Sequence, residues 1–261
     1  MEFVSTKIED RVAEVTFSRG DDRNALSVQA MEELRDTARA LAENPDLMAV
    51  ILSSKGAFSA GADLKDTGSD VMRNGTMMEK RQHLKLGPDM CDAWENIEAY
   101  TIVAMEGYCI GGGSALAAAI DYRILGRSAH MRLPEVPLGM NMSWHSVPRL
   151  VAQIGPARAK QYITLGERVY ADQALSWGLV EEVVDDGTTL DAARAYAQRI
   201  TKLPPLPVRM TKQSVNAAAM ALANATTFMD RDQYMLAVSS SDFRESVKAF
   251  FEKRDPEFSG D

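Results

Sequence analysis

One glutamate is a candidate acid or base because of its neighbours. Glu135 stands between two prolines in the stretch "MRLPEVPLGM", which carries few other charges. Apolar surroundings raise the pKa of a carboxyl group, since burial disfavours its charged form. A carboxyl group with such a pKa can take and return a proton near neutral pH. The stretch also fits a surface loop whose glutamate forms an ion pair, so the neighbours alone leave both interpretations open.

Two glycine-rich stretches each follow a predicted buried strand. The first is "GAFSAGADLKD" after "MAVILSS", and the second is "GYCIGGGSALA" after "TIVAMEG". A strand that ends in glycine before a helix leaves backbone N–H groups free, and the helix dipole favours negative charge there. Two such stretches facing each other could direct two N–H donors at one oxygen, as in an oxyanion hole. The competing interpretation is a pair of structural turns, and neither GxGxxG nor GxxxxGK[ST] is present.

The strands that would position these stretches belong to an alternating pattern. "FVSTKI" and "VAEVTF" predict a hairpin joined by residues 9–11. The unbroken apolar runs "MAVILSS" and "TIVAMEG" predict strands buried on both faces. Further strands are predicted at "DYRIL", "HMRL" and "GLVEEVV". Helical segments separate these strands, so the predicted fold class is α/β.

The predicted helices lie between the strands and at the end of the chain. Ser27 is a favourable N-cap for a helix that ends before Asn44-Pro45. A long polar helical stretch is predicted from about 76 to 98. From Leu190 onward the pattern is mostly helical, with a break at "LPPLP". The apolar face of the first helix is formed by Met31, Leu34, Ala38 and Leu41.

Composition narrows the class of protein. The 261 residues carry a formal net charge of -8 and no run of Lys and Arg, which argues against a nucleic-acid partner. Cys91 and Cys109 lack metal-ligand spacing, so neither a metal site nor a disulfide framework is expected. No apolar run reaches membrane-spanning length and no targeting segment is recognisable, so a cytoplasmic enzyme without a membrane partner is expected.

The ordered motifs "RNALS", "FSAGADLK", "GYCIGGGSALA", "DYRI" and "PEVPLG" resemble the crotonase superfamily, the enoyl-CoA hydratases and isomerases. The resemblance extends from the first hairpin to "FFEKRDPEF" and covers nearly the whole chain. It implies a spiral of ββα units in two roughly perpendicular sheets over residues 1–200. A helical region for trimerisation would follow over 201–261, in a homotrimer or a dimer of trimers. It also implies an acyl-CoA thioester as substrate and no other cofactor.

The same resemblance implies roles for particular residues. The thioester carbonyl would accept hydrogen bonds from the backbone N–H groups of Ala62 and Gly112, with Glu135 as acid and base. Phe250 and Lys253 would reach the nucleotide of a neighbouring subunit. The other residues implied in substrate and CoA binding are Arg23, Ala25, Leu26, Ala60, Asp63, Leu64, Lys65 and Gly111.

The chain departs from the hydratase pattern at one carboxylate. Hydratases of this family usually carry a second glutamate in GGGxE, where this chain has Ala115. Two carboxylates hold and activate the water that is added, whereas a single one suffices to move a proton. Glu135 alone therefore favours double-bond isomerisation of an enoyl-CoA. The alternatives are a hydratase in which Ser114, His145 or a bound water compensates, and a non-catalytic CoA-binding assembly protein.

A second departure is "MNMSWHSVPRL", which replaces the "PGAGGTQRL" common in hydratases. Ser143 stands where members with dehalogenase or dienoyl-isomerase chemistry carry an aspartate, which argues against both activities. His145 could act as a second acid or base, or it could pack at a helix start beside Trp144. A methionine-rich region either covers the acyl pocket or forms ordinary core: Met72, Met77, Met78, His83, Leu84, Leu86, Met90 and Trp94.

Overall fold

The larger of two sheets has six strands, drawn from residues 4–184. The computed structural model describes residues 1–21, 23–63, 65–66 and 69–261. The strand order is β1-β2-β3-β4-β6-β9, with an antiparallel β1–β2 hairpin and parallel pairing elsewhere. The strands are β1 (Val4–Glu9), β2 (Val12–Phe17), β3 (Ala49–Ser54), β4 (Tyr100–Met105), β6 (Tyr122–Gly126) and β9 (Glu182–Val184). The predicted strand "GLVEEVV" is therefore correct only over its last three residues.

Helices cover both faces of this sheet, which explains the unbroken apolar runs. On β3, Val50 and Leu52 join the core beneath α1 (Val28–Ala42), whereas Ala49 and Ile51 join the core beneath α8 (Thr189–Ile200). Helix α1 begins as predicted, because the Ser27 hydroxyl accepts a hydrogen bond from the Ala30 N–H. Its predicted apolar face is buried at Met31, Leu34, Ala38 and Leu41.

The helical stretch predicted over 76–98 is found, but it is divided into two helices. The structure has α3 (Met77–His83) and α4 (Leu86–Glu95), with α2 (Ser69–Asn74) before them. Pro88 explains the break, because its ring would clash with the carbonyl of the residue four positions earlier in a continuous helix. Helix α3 begins with a capping box between Thr76 and Glu79.

A second sheet has three strands, which are interspersed along the chain with strands of the first. It consists of β5 (Tyr108–Ile110), β7 (His130–Arg132) and β8 (Val169–Tyr170), in that order. Helix α5 (Gly112–Ala118) follows β5, and a 3₁₀ turn (Val136–Leu138) follows β7. Helices α6 (Ser146–Leu165) and α7 (Ala171–Trp177) complete the core region.

Four helices end the chain, as predicted. They are α9 (Pro205–Ala219), α10 (Asn224–Thr227), α11 (Asp230–Ser239) and α12 (Ser241–Glu252). Helix α9 is fastened to the sheet by the buried Lys212, whose Nζ lies 2.7 Å from Asp121 Oδ2 and 3.1 Å from the Ala99 carbonyl. The division at residues 200/201 and the use of this region in trimerisation stay predictions. Among the described residues, no helix is long and apolar enough to span a membrane.

Candidate active site

The two glycine-rich stretches run parallel and in contact. The Ser59 N–H donates to the Tyr108 carbonyl over 3.1 Å, and the Ile110 N–H donates to the Ser59 carbonyl over 2.9 Å. These bonds align residues 58–62 with residues 107–112, in the manner of two parallel strands. The ends of both stretches therefore emerge at the same place.

A glycine with positive φ precedes each predicted donor. Gly61 has a φ of +86° and Gly111 has a φ of +54°. A Cβ on Gly61 would lie 2.7 Å from the Ile110 carbonyl oxygen, so only glycine allows the two stretches to approach this closely. Within the described residues, neither the Ala62 N–H nor the Gly112 N–H has a hydrogen-bond acceptor. The site thus offers two unused donors, as an oxyanion hole requires.

Glu135 lies against the second of these glycines. A Cβ placed on Gly111 would be 2.9 Å from Glu135 Oε1. Although the residue as a whole is half-buried, its Oε2 is buried and has no hydrogen-bond partner in the described part of the chain. Burial raises the pKa of Glu135 from 4.5 to about 7, and the nearby Arg132 lowers it only in part. The raised pKa that the flanking prolines predicted is therefore found.

A cavity of about 490 Å³ joins these groups. Glu135 is the only carboxylate among the described residues that line it. The methionine-rich region divides between the core, the surface and the wall of the cavity, and its role in covering an acyl pocket stays a prediction. Met90 and Trp94 are fully buried core residues, and Met77 and Met78 are exposed. The members of that region that line the cavity are Met72, His83, Leu84 and Leu86.

The residues predicted to hold CoA form one continuous strip of backbone. The Ala60 N–H donates to the Arg23 carbonyl over 2.8 Å. The Leu26 N–H donates to the Gly61 carbonyl over 2.7 Å. Residues 23–26, Ala25 included, therefore lie alongside the first glycine-rich stretch, on the Ala62 side of the site. Ala60 lines the cavity itself.

The side chains at the end of this strip have their own partners. Arg19 Nη1 lies 2.6 Å from Asp63 Oδ2. Burial alone would raise the pKa of Asp63, but the hydrogen bonds from Arg19 and from the Lys65 N–H lower it. The Lys65 side chain is exposed, which would suit contact with an anionic group. Leu64 lies outside the described residues.

Phe250 and Lys253, the two residues near the C-terminus that were predicted to reach a nucleotide, differ in their relation to the cavity. Phe250 is 61% exposed and lines the cavity of its own chain. Lys253 ends α12 with a φ of +55° and does not line the cavity. Contact of either residue with the nucleotide of a neighbouring subunit stays a prediction.

His145 is not brought into the cavity. Its Nδ1 lies 3.0 Å from Asp92 Oδ2, and its backbone N–H donates to Asp230 Oδ2 over 2.9 Å. The residue precedes α6 and is absent from the cavity lining. This placement fits the alternative interpretation, in which the histidine packs at the start of a helix.

Trp144 is the residue that sequence reasoning missed. It lines the cavity, and its indole fills the space left by two glycines. A Cβ on Gly112 would lie 2.4 Å from the indole Cζ3, and one on Gly87 would lie 2.2 Å from Cε2. The sequence carried one signal for this packing: Gly87 lies inside a predicted helix, where a glycine often marks close packing.

In the segment that corresponds to GGGxE, neither Ser114 nor Ala115 faces the cavity. Ala115 is 1% exposed and lies in the core. The Ser114 hydroxyl is buried, donates to the Cys109 carbonyl over 2.7 Å and accepts from the Tyr162 hydroxyl. Two further buried polar atoms, Asn141 Oδ1 and Ser246 Oγ, have no partner among the described residues, and both side chains belong to cavity-lining residues.

The architecture of this chain is similar to that of proteins with solved structures. A crystal structure of an enoyl-CoA hydratase/isomerase from Pseudoalteromonas atlantica T6c superposes with a TM-score of 0.86 at 27% identity, over 98% of this chain and 99% of that one. The fold is thus that of the crotonase superfamily, as predicted. The family model described as enoyl-CoA hydratase/isomerase matches residues 7–261. The chain belongs to that family and is one of its enzymes.

The names of the relatives include both hydratases and an isomerase. Crotonyl-CoA hydratase of Syntrophomonas wolfei subsp. wolfei is 31% identical over 252 residues, which is 96% of this chain and 95% of that protein. The 1,2-epoxyphenylacetyl-CoA isomerase of Escherichia coli is 28% identical over 261 residues, which is 100% of this chain and 99% of that protein. Similarity alone therefore does not choose between hydration and isomerisation.

Proposed function

We propose that this enzyme moves the double bond of an enoyl-CoA thioester, with Glu135 as its only acid and base. The observation that carries the proposal is Glu135, the single carboxylate among the described residues that line the cavity. Its pKa is about 7, and its Oε2 has no partner among those residues. Such a group is ready to accept a proton at neutral pH and holds it well enough to return it. Membership of an enzyme family argues against the non-catalytic assembly protein.

In the proposed reaction the thioester oxygen accepts hydrogen bonds from the N–H groups of Ala62 and Gly112. The Glu135 carboxylate takes a proton from C2 of a 3-enoyl-CoA, and the electron pair of that C–H bond moves toward the thioester oxygen. The two N–H donors stabilise the resulting dienolate. The Glu135 carboxylic acid then returns its proton to C4, and the double bond comes to lie between C2 and C3. No atom is gained or lost, and no oxidant or reductant is needed.

The positions that could supply a second acid or base support isomerisation over hydration. Addition of water needs a group that activates the water and a proton for C2. Ala115 is a buried methyl group, the Ser114 hydroxyl is bound to a carbonyl, and His145 binds Asp92. The structure therefore supports proton transfer by Glu135 more directly than it supports a water held between two groups.

Hydration of a 2-enoyl-CoA is the second candidate, and one observation favours it. Asn141 Oδ1 and Ser246 Oγ, which have no partner in the described part of the chain, are polar atoms of cavity-lining residues that could hold a water molecule. In that case Glu135 would activate the water, and the amide and hydroxyl would position it. The crotonyl-CoA hydratase among the relatives is compatible with this alternative.

Mass spectrometry of the products in heavy water distinguishes the two candidates. We expect 3-hexenoyl-CoA to become 2-hexenoyl-CoA, separated from it by chromatography, with no mass of water added. Because Glu135 returns the proton that it removed, deuterium enters only to the extent that this proton exchanges with solvent before its return. The same enzyme should leave 2-hexenoyl-CoA without added water. Formation of 3-hydroxyhexanoyl-CoA as the main product would contradict isomerisation and establish hydration. Failure of both substrates, with intact binding of hexanoyl-CoA, would also reject the proposed reaction for unsubstituted acyl chains.

The pH dependence of turnover should follow the Glu135 carboxyl group. Only the ionised carboxylate can remove the first proton, and its pKa is about 7. We therefore expect kcat/KM for 3-hexenoyl-CoA to rise about tenfold per pH unit below pH 7 and to level off above it. Steady-state rates from pH 5.5 to 9 check this. The exposed Glu32→Gln substitution should leave the profile unchanged, whereas a flat or falling profile would contradict the role of Glu135.

A further inference from the structure

Two adjacent non-glycine residues adopt the left-handed backbone conformation beside the cavity. Trp144 has a φ of +61° and His145 has a φ of +56°. This conformation is unfavourable for a bulky side chain and persists only where the surroundings impose it. Its occurrence at two consecutive positions next to a candidate active site indicates that the surrounding residues hold a side chain there in a fixed orientation.

A buried arginine holds the two residues in place. The Arg149 side chain is 3% exposed, and its Nη1 donates to the carbonyl oxygens of Trp144 and His145, each over 3.2 Å. The guanidinium also binds Asp92 over 2.8 Å and Glu95 over 2.8 Å. We call these groups, with His145 and Asp230, the Arg149 cluster.

The histidine contributes two more contacts to the Arg149 cluster. Its Nδ1 binds Asp92, and its backbone N–H binds Asp230, the first residue of α11. Asp92 thus joins the ring of His145 to the guanidinium of Arg149. The cluster fastens the backbone at Trp144 from α4, α6 and α11 at once, which leaves the tryptophan little freedom to turn away.

The result of this fastening is a fixed position for the indole. It packs between Gly87 of α4 and Gly112, the residue whose N–H is a proposed oxyanion donor. The predicted CoA strip lies on the opposite, Ala62 side of the two donors. A thioester bound between the donors with its CoA along that strip would therefore extend its acyl carbons toward the indole.

We propose that Trp144 is a specificity-determining residue, which admits acyl chains that are unbranched at C2 and excludes those with a C2 substituent. The proposal rests on the proposed thioester site. A planar enolate with a single hydrogen atom at C2 can lie along the indole, whereas a methyl group at C2 would need the space that the ring occupies. The Arg149 cluster acts as a positioning device for Trp144 and touches no substrate.

Binding of non-reactive thioesters tests the specificity without turnover. Calorimetry would measure the Kd of hexanoyl-CoA and of 2-methylhexanoyl-CoA for wild type, Trp144→Ala and Trp177→Ala. We expect wild type to prefer the unbranched thioester by at least about tenfold, since one methyl group in a tight pocket is worth about that much. Trp144→Ala should bring the ratio close to one, and Trp177→Ala should preserve it. Equal binding by wild type, or an unchanged ratio in Trp144→Ala, would overturn the proposal.

A double-mutant cycle tests the positioning role of the cluster. Asp92→Asn keeps the size of the side chain but removes the charge that joins His145 to Arg149. It should weaken the preference for the unbranched thioester in wild type and change nothing further in Trp144→Ala, because coupled residues are non-additive. An equal effect in both backgrounds would overturn the positioning role. If Trp144→Ala fails to fold, Trp144→Asn replaces it, since asparagine tolerates this backbone conformation.

The two levels of the proposal fail separately. If the binding preference follows Trp144 but 3-hexenoyl-CoA is not isomerised, the proposed reaction is rejected and the specificity role stands. If isomerisation occurs without any discrimination at C2, the reverse holds. The matched measurement of kcat/KM for 3-hexenoyl-CoA and 2-methyl-3-hexenoyl-CoA should show the same ratio as the two Kd values.

Discussion

A Glu135→Gln variant is expected to lose about 10³–10⁴-fold in kcat for 3-enoyl-CoA, because the same carboxylate performs both proton transfers. Glutamine has the same shape but cannot accept the C2 proton, so thioester binding should change little. The fall should therefore appear in kcat, with the Kd of hexanoyl-CoA nearly unchanged. Retention of more than a tenth of the wild-type kcat would contradict the assignment of Glu135. Glu32→Gln is the matched control, since its carboxyl group is exposed and remote in sequence.

The same substitution should stabilise the protein at alkaline pH. The pKa of Glu135 is raised from 4.5 to about 7 by burial, so the folded state binds this proton more tightly than the unfolded state. The associated stability is fully present below pH 4.5 and is lost as the pH rises through 7. At pH 8 the buried carboxylate then costs up to about 3 kcal/mol of unfolding free energy.

Urea denaturation at two pH values measures this cost. Glu135→Gln should be more stable than wild type at pH 8, and the advantage should disappear toward pH 4.5, where wild-type Glu135 is protonated as well. A variant that is less stable than wild type at pH 8 would show that Oε2 has a stabilising partner in solution. Gain of stability with loss of activity is the pattern expected where a buried group is kept for function.

The second large effect is expected at Gly111, whose substitution by alanine should lower kcat/KM by about 10²–10³-fold, the cost of losing an oxyanion donor. Gly111 has φ +54° and ψ -119°, which alanine adopts only with strain. Its added Cβ would stand 2.9 Å from Glu135 Oε1. Relief of either conflict would move the carboxylate or turn the Gly112 N–H away from the thioester.

Gly155→Ala separates backbone strain from damage to the site. Gly155 has φ +75° and ψ 162°, and an added Cβ there would meet nothing within 4 Å. Both variants should lose stability, but only Gly111→Ala should lose kcat/KM per folded molecule. Steady-state rates and thermal melting of the two variants measure this. Equal losses of activity would mean that strain alone, and not the contact with Glu135, explains the effect.

Short-range patterns in the sequence were sufficient to predict most of the helices and strands. The β1–β2 hairpin, the N-cap at Ser27, the buried strands and the C-terminal helices follow from short-range patterns, and each is found. The raised pKa of Glu135 also followed from its flanking residues. The helical stretch over 76–98 was predicted without its division into two helices, although Pro88 carried the signal for that break.

Tertiary structure alone decided which residues meet. The sequence places a glycine-rich stretch after each of two strands, but only the parallel pairing of 58–62 with 107–112 sets their free N–H groups side by side. Trp144 and His145 are neighbours in sequence, yet the tertiary structure directs the indole of Trp144 into the cavity and the imidazole of His145 toward Asp92. Both residues have a left-handed backbone, and Arg149 donates hydrogen bonds to their carbonyl oxygens. A conformation that accompanies such tertiary contacts cannot be deduced from local propensity.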